Sequence, residues 1–146
     1  MLIARGAAAF SAAADTSASD IDLAQKILES VGIAFKVDEA YMNAVTALSG
    51  SGPAYVFEFI QALANGGVSE GLPHETALQL AAQTVLGAAE MVLKTKTHPM
   101  ILKDQVTSPG GTTARALEVL YRQGFSATVI DAMHACAKRS EELGKG

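Results

Sequence analysis

The chain has 146 residues, an apolar content of 49% and a formal net charge of −4. An acidic chain without clustered basic residues lacks the electrostatic footprint of a nucleic-acid-binding protein, so we expect no nucleic-acid partner. No uninterrupted apolar run approaches the roughly 18 residues of a membrane-spanning helix, so we expect no membrane partner either.

The beginning of the chain predicts a strand, a helix and a second strand. Residues 2–14 predict a strand followed by a polar turn, and Ser19 or Asp20 is placed to cap a helix that Gly32 ends. Residues 33–37 alternate in the manner of a short strand. Two strands are too few for a stable sheet of their own, so this opening segment is predicted to be the remainder of a larger domain.

From Asp38 onward the spacing of the apolar residues is helical. A first helix is interrupted by the Ser-Gly-Ser-Gly turn at residues 49–52, and Pro53 suits the first turn of the next helix. Residues 54–64 of that helix are apolar on nearly every face. A helix that is apolar all round is buried all round, which so short a chain has difficulty achieving alone. We therefore expect a second copy of the chain to cover it.

The later part of the chain predicts further helices on either side of a glycine-rich turn. A long helix that begins at residues 72–73 ends at the cations of residues 94–96, where the helix dipole favours positive charge. A short helix over residues 98–104 follows, and His98 at its start is interpreted as a turn residue rather than a base. The last helix covers residues 127–143.

The stretch Val-Thr-Ser-Pro-Gly-Gly-Thr-Thr at residues 106–113 places a rigid turn directly before a helix. The proline fixes φ, and the two glycines let the backbone approach a ligand closely. Thr112 or Thr113 is placed to cap this helix, which stops at Gly124. The first N–H groups of a helix lack internal acceptors and lie at the positive end of its dipole, so they suit a carboxylate or phosphate. The alternative is a tight turn with capping threonines and no ligand.

Residue spacing gives no support for a metal site or an activated nucleophile. None of the three histidines is spaced from another histidine, a cysteine or a pair of carboxylates in the way that metal ligands are spaced. We therefore expect no bound metal. Ser49 and Ser51 have no plausible partners for a hydrolase triad. Cys136 is the single cysteine, which excludes an internal disulfide and predicts a reducing, cytoplasmic location.

Three motifs together resemble the carboxy-terminal half of pyrroline-5-carboxylate reductase. They are Leu-Ser-Gly-Ser-Gly-Pro-Ala-Tyr at residues 48–55, Thr-His-Pro at 97–99 before Leu-Lys-Asp at 102–104, and the stretch at 106–113, in the family's order and spacing. The resemblance covers about Arg5 to the end of the chain. It implies a mainly α fold, with a helical dimerisation domain of the 6-phosphogluconate dehydrogenase C-terminal-like type over residues 38–146. Residues 1–37 would then be a strand-helix-strand remnant of a Rossmann dinucleotide-binding domain.

The resemblance also implies an activity and a site. The family reduces 1-pyrroline-5-carboxylate to L-proline with NADPH or NADH, the last step of proline biosynthesis. Thr113 matches a threonine whose hydroxyl reaches the ring nitrogen of the substrate, which makes it the candidate catalytic residue. Gln105 matches a variable position that contacts the cofactor. The residues that match substrate-binding positions are Glu39, Val106, Ser108, Gly111, Thr112 and Thr113.

Most of the family's cofactor-binding domain is missing from these residues. No Gly-x-Gly-x-x-Gly lies between a strand and a helix, so we expect NADP or NAD to be bound mainly elsewhere and this chain alone to be inactive. A fragment, a truncated gene product and a protein that uses half of the family's machinery all remain open. So do two functions, the substrate-binding half of the enzyme or a non-catalytic helical dimerisation module. We expect a homodimer in both cases, with higher assemblies left open.

Overall fold

The computed structural model describes residues 3–145. Helices dominate this part of the chain, and a strand-helix-strand segment precedes them, so the predicted mainly α fold is confirmed. In order the elements are β1 (Gly6–Phe10), α1 (Ala18–Glu29), β2 (Gly32–Lys36), a 3₁₀ turn (Glu39–Tyr41), α2 (Met42–Val45), a π-helical turn (Thr46–Gly50), α3 (Gly52–Ser69), α4 (His74–Thr95), α5 (Pro99–Gln105), α6 (Thr112–Arg122) and α7 (Phe125–Gly144).

The chain divides into two compact units. The first contains the described residues up to Pro53 together with those from Val129 onward, and the second is Ala54–Thr128. The two strands, the first short helices and most of α7 therefore belong to one unit. The rest of α3, all of α4 to α6 and the first residues of α7 belong to the other.

The strands β1 and β2 pair in parallel, with Gly6 opposite Gly32 and Phe10 opposite Lys36. Glycine at position 32 permits this pairing, because a Cβ there would collide with the backbone of Gly6. Helix α1 packs on β2, where Ala34 is buried, and the Gln25 side chain donates to the Ala34 carbonyl at 2.8 Å. The opposite face of β2 stays open.

Two boundaries of α1 differ from those predicted. Its N-cap is Ser17 rather than Ser19 or Asp20, because the Ser17 hydroxyl accepts from the Asp20 N–H at 3.2 Å. The helix ends at Glu29 with Ser30 as its C-cap, so the prediction that Gly32 ends it is wrong. Gly32 instead begins β2, where the close pairing just described needs it.

The Ser-Gly-Ser-Gly segment interrupts the helical path, as predicted. The backbone widens into a π-helical turn over Thr46–Gly50, closed by the Ser51 N–H donating to the Thr46 carbonyl at 2.8 Å. Helix α7 packs beside it in the same unit. The Cys136 thiol donates to the Ser51 hydroxyl at 3.2 Å.

The second unit packs around alanines rather than large side chains. Its buried cluster consists of Ala64, Ala77 and Ala81, with Ile60 against it. Gly67 favours the close approach of α3 and α4, because a Cβ there would lie 3.2 Å from the Ala77 Cβ, a tight contact. Every buried hydrophobic residue between 3 and 145 is an alanine, and no side chain larger than alanine is fully buried there. This core is too thin to stabilise the chain by itself.

Large apolar side chains cover much of the surface instead. On α3, Phe57 is 69% exposed, and on α4, Leu93 is 69% exposed. The predicted apolar helix over residues 54–64 is thus largely exposed in a single chain, apart from Ala64 and the partly buried Tyr55 and Ile60. Helix α4 also has the length and average apolarity to cross a membrane, and it is the single such helix among residues 3–145. The absence of an uninterrupted apolar run does not predict this helix, because glutamines and threonines lie among its apolar residues. One helix of this kind is equally typical of a soluble protein's core.

The last helices lie close to their predicted positions. Helix α5 begins at Pro99, and the Nδ1 of His98 accepts from the Met100 N–H at 3.3 Å, so His98 is a capping residue. Helix α6 ends before Gly124, whose φ of 70° suits the residue after a helix. Helix α7 begins two residues earlier than predicted, at Phe125.

Candidate functional site

The turn between α5 and α6 is held by its own backbone and by one threonine. The Thr107 hydroxyl donates to the Lys103 carbonyl at 2.6 Å, and the Thr107 N–H donates to the Asp104 carbonyl at 3.1 Å. Both bonds extend the last turn of α5 into the loop. At the other end, the Gly111 N–H donates to the Ser108 carbonyl at 3.0 Å and closes the turn.

The structure explains why positions 110 and 111 of this turn are both glycine. Gly110 has φ of 68°, a conformation that side chains disfavour. Gly111 has an ordinary φ of −73°, but a Cβ there would collide with the Ser108 hydroxyl. The Ser108 side chain therefore occupies the space that a side chain at position 111 would need, directly beside the start of α6.

The first N–H groups of α6 are open. The N-cap is Gly111, which has no side chain to cap the helix, so the prediction that Thr112 or Thr113 is the cap is wrong. Both threonines lie inside the first turn, because the glycine already takes the non-helical conformation. The first helical bond runs from the Arg115 N–H to the Gly111 carbonyl at 3.3 Å. Within residues 3–145, the N–H groups of residues 112–114 have no hydrogen-bond acceptor.

This arrangement suits a small anion chemically. Three N–H donors at the positive end of a helix dipole attract a carboxylate, and each charged hydrogen bond contributes about 1.5–3 kcal/mol. The hydroxyl of Thr113, a half-buried residue, has no hydrogen-bond partner among residues 3–145 and remains available to a ligand. Ser108 and Thr112 are exposed on the same turn.

A polar contact that the sequence did not reveal joins α5 to α6. The Lys103 ammonium lies 2.9 Å from the Asp104 carboxylate and 3.4 Å from the Tyr121 hydroxyl, to which it donates. The same ammonium lies 5.9 Å from the centre of the Tyr121 ring. The hydrogen bond to Asp104, followed by that to Tyr121, raises the pKa of Lys103. No spacing rule could have predicted this contact, because the two residues lie 18 positions apart on different helices.

The remaining predicted site residues lie in different places. Gln105 is the last residue of α5, and Val106 follows it with 68% of its surface exposed. These two residues share the second unit with the turn. Glu39 belongs to the first unit, where its carboxylate accepts a hydrogen bond from the Ser11 hydroxyl. Ser11 follows β1 and Glu39 begins the 3₁₀ turn after β2, so this bond joins the carboxyl ends of the two strands.

Neither a metal site nor a cofactor pocket is built by the described residues alone. Among residues 3–145, no three histidine, cysteine or acidic side chains are grouped closely enough to hold a metal ion. Between β1 and α1, where a dinucleotide-binding fold carries its glycine-rich turn, residues 11–17 contain no glycine. A two-stranded sheet with that connection does not fit a dinucleotide by itself.

Comparison with known proteins agrees with the helical architecture. The family model described as pyrroline-5-carboxylate reductase dimerisation matches residues 39–143. A pyrroline-5-carboxylate reductase of Arabidopsis thaliana is 59% identical over 115 residues, which is 79% of this chain and 42% of the relative. One from Synechocystis is 52% identical over 84% of this chain and 46% of the relative. The chain spans about half the length of these relatives.

Solved structures show the same correspondence. The pyrroline-5-carboxylate reductase of Coxiella burnetii superposes with a TM-score of 0.91 at 40% identity, covering 95% of this chain and 52% of that one. The Plasmodium falciparum enzyme, solved with NADP bound, superposes with a TM-score of 0.86 at 37% identity. The match covers 93% of this chain and 53% of that one. The helical arrangement and the sequence identity thus lead to one family. The chain belongs to the pyrroline-5-carboxylate reductase family and carries its dimerisation domain.

Proposed function

We propose that this chain supplies the dimer-forming and substrate-binding half of a pyrroline-5-carboxylate reductase, which makes L-proline from 1-pyrroline-5-carboxylate with NADPH or NADH. The observation that carries the proposal is the open start of α6. Its N–H groups at residues 112–114 lack acceptors within the described chain and follow a turn whose two glycines keep the approach clear. The substrate is a small carboxylate, which is the ligand that such a helix end attracts.

Each residue of the proposed site has a distinct part. Backbone N–H groups of Thr112, Thr113 and Ala114 receive the carboxylate, assisted by the Ser108 hydroxyl, and Gly111 leaves room for it to approach. The Thr113 hydroxyl reaches the ring nitrogen and orients the imine. Val106 provides an exposed apolar contact for the ring, and Gln105, one residue earlier, is placed to contact the cofactor.

Glu39 enters the proposal through the resemblance alone. Its carboxylate is exposed but already hydrogen bonded to Ser11, so contact with substrate would share or replace that bond. The turn residues carry the carboxylate-binding role without it.

The cofactor belongs mainly to a domain that residues 1–37 would complete. The parallel pair β1 and β2 supports this boundary, because parallel sheets are normally covered on both faces and α1 covers one. The exposed Ile33 and Phe35 on β2 fit a strand whose other face packs against further structure. The part of the chemistry assigned to these residues is to hold and orient the substrate.

A homodimer in the cytoplasm completes the proposal. The alanine core and the exposed phenylalanines and leucines of α3 and α4 support a second copy as the missing cover. The presence of one cysteine in the sequence, Cys136, supports a reducing compartment. The alternative is a non-catalytic dimerisation module, and the missing glycine-rich turn after β1 favours it.

Binding of L-proline by this chain distinguishes the two functions. The substrate-binding proposal predicts that L-proline binds and that L-prolinamide, which lacks the carboxylate, binds about tenfold or more weakly. Thr113→Ala should weaken L-proline binding about fivefold, the effect of one neutral hydrogen bond of about 1 kcal/mol. Its melting temperature should stay unchanged because Thr113 is not a cap.

Isothermal titration calorimetry and thermal melting provide these values. Thr128→Ala, in the first turn of α7, is the matched control and should bind L-proline normally. A chain that binds neither compound supports the dimerisation module and rejects the substrate site.

A further inference from the structure

The geometry points to Lys103 as a positioning residue for the carboxylate-binding turn. This inference rests on the proposed function, because it concerns the same turn. The Lys103 backbone carbonyl holds the entry of the turn through the Thr107 hydroxyl at 2.6 Å. The Lys103 side chain holds the exit helix through the Tyr121 hydroxyl at 3.4 Å. One residue thus contacts the structure on both sides of the turn.

The two contacts act on the direction in which α6 presents its first N–H groups. The distance from these N–H groups to a bound carboxylate depends on that direction, because residues 112–114 are the first residues of α6 and move with it. Hydrogen bonds hold both ends of the turn, and between them lies Gly110, whose backbone has more conformational freedom than that of any other residue type. A contact between α5 and α6 outside the turn adds a further constraint on the angle between the two helices.

The positive charge of Lys103 stabilises its hydrogen bond to Tyr121. Asp104 lies 2.9 Å from the ammonium and keeps it protonated, which the raised pKa of Lys103 also indicates. A protonated ammonium donates a hydrogen bond to the Tyr121 hydroxyl oxygen at 3.4 Å. The lysine side chain is only 27% exposed, so its long stem is already ordered against the helices.

Four variants test this role through L-proline affinity. Lys103→Met keeps the stem and removes the charge, Tyr121→Phe removes only the hydroxyl, and Lys103→Arg restores a cation. We expect Lys103→Met and Tyr121→Phe to weaken L-proline binding about twofold to fivefold, and Lys103→Arg to bind within error of wild type. Lys94→Met is the matched control, because Lys94 pairs with Glu90 within α4 at 3.2 Å and links no helices. It should bind normally.

A second readout needs no ligand. The amide NMR resonances of residues 111–114 should move in Lys103→Met without proline present, and return in Lys103→Arg. Unmoved resonances in Lys103→Met, or equal effects from Lys94→Met, would overturn the positioning role. Wild-type chain that binds no L-proline while these resonances still move would reject the proposed function and retain the positioning role.

Discussion

The folded chain will sediment as a dimer at micromolar concentration, and its unfolding midpoint will rise with protein concentration. The reason is the composition of its interior, in which the buried hydrophobic residues among 3–145 are alanines while Phe57 is 69% exposed. Folding and association must then occur together, because no folded monomer has enough core to be stable. We expect an interface of more than about 2,000 Å² in total, the range of obligate dimers.

Analytical ultracentrifugation and thermal melting over a hundredfold concentration range measure both effects. A tenfold rise in concentration should stabilise the folded dimer by about 1.4 kcal/mol. Phe57→Glu should dissociate or unfold it, because the partner would have to bury a charge. Glu58→Gln, the next residue along α3 and on a different face, is the control and should leave the dimer intact. A stable folded monomer would contradict the obligate dimer.

A polypeptide of these 146 residues will show no NADPH oxidation with pyrroline-5-carboxylate. The described strands form a two-stranded sheet without the glycine-rich phosphate-binding turn, so the cofactor has no adequate site. Joining the chain to the part of the Synechocystis relative that it does not span should give reductase activity, higher by orders of magnitude. Clear turnover by the unjoined chain would refute the need for another domain.

The joined protein also permits a control on the turn. Gly111→Val should abolish most of its activity, because the new side chain displaces the Ser108 hydroxyl and obstructs the start of α6. The dimer should persist in this variant, since Gly111 is not part of the alanine cluster. Normal kinetics in Gly111→Val would remove the turn from the site.

The helical order was predictable because its signals are local. Pro53, Pro99 and Gly124 mark helix starts and stops through their own backbone preferences, and all three lie where they were expected. Capping was harder to predict. Ser17 and Gly111 are the caps in place of neighbouring serine, aspartate and threonine residues, because several adjacent residues offered the same chemistry.

The candidate site could be predicted in part. A glycine-rich turn before a helix is visible in sequence, and so the open N–H groups of α6 were expected. The Lys103–Tyr121 contact was not, since it depends on how α5 and α6 pack. The hydrogen bond between Ser11 and Glu39 was not expected either. These residues lie 28 positions apart, and the parallel pairing of β1 and β2 brings them together. Neither contact follows from periodicity.

Amide NMR of the isotope-labelled chain during an L-proline titration tests the central claim most directly. If the start of α6 holds the substrate carboxylate, the largest shifts will fall on the amides of Thr112, Thr113 and Ala114, and L-prolinamide will produce little change there. Shifts centred elsewhere, or equal shifts with both compounds, would contradict the assignment of this turn as the carboxylate site.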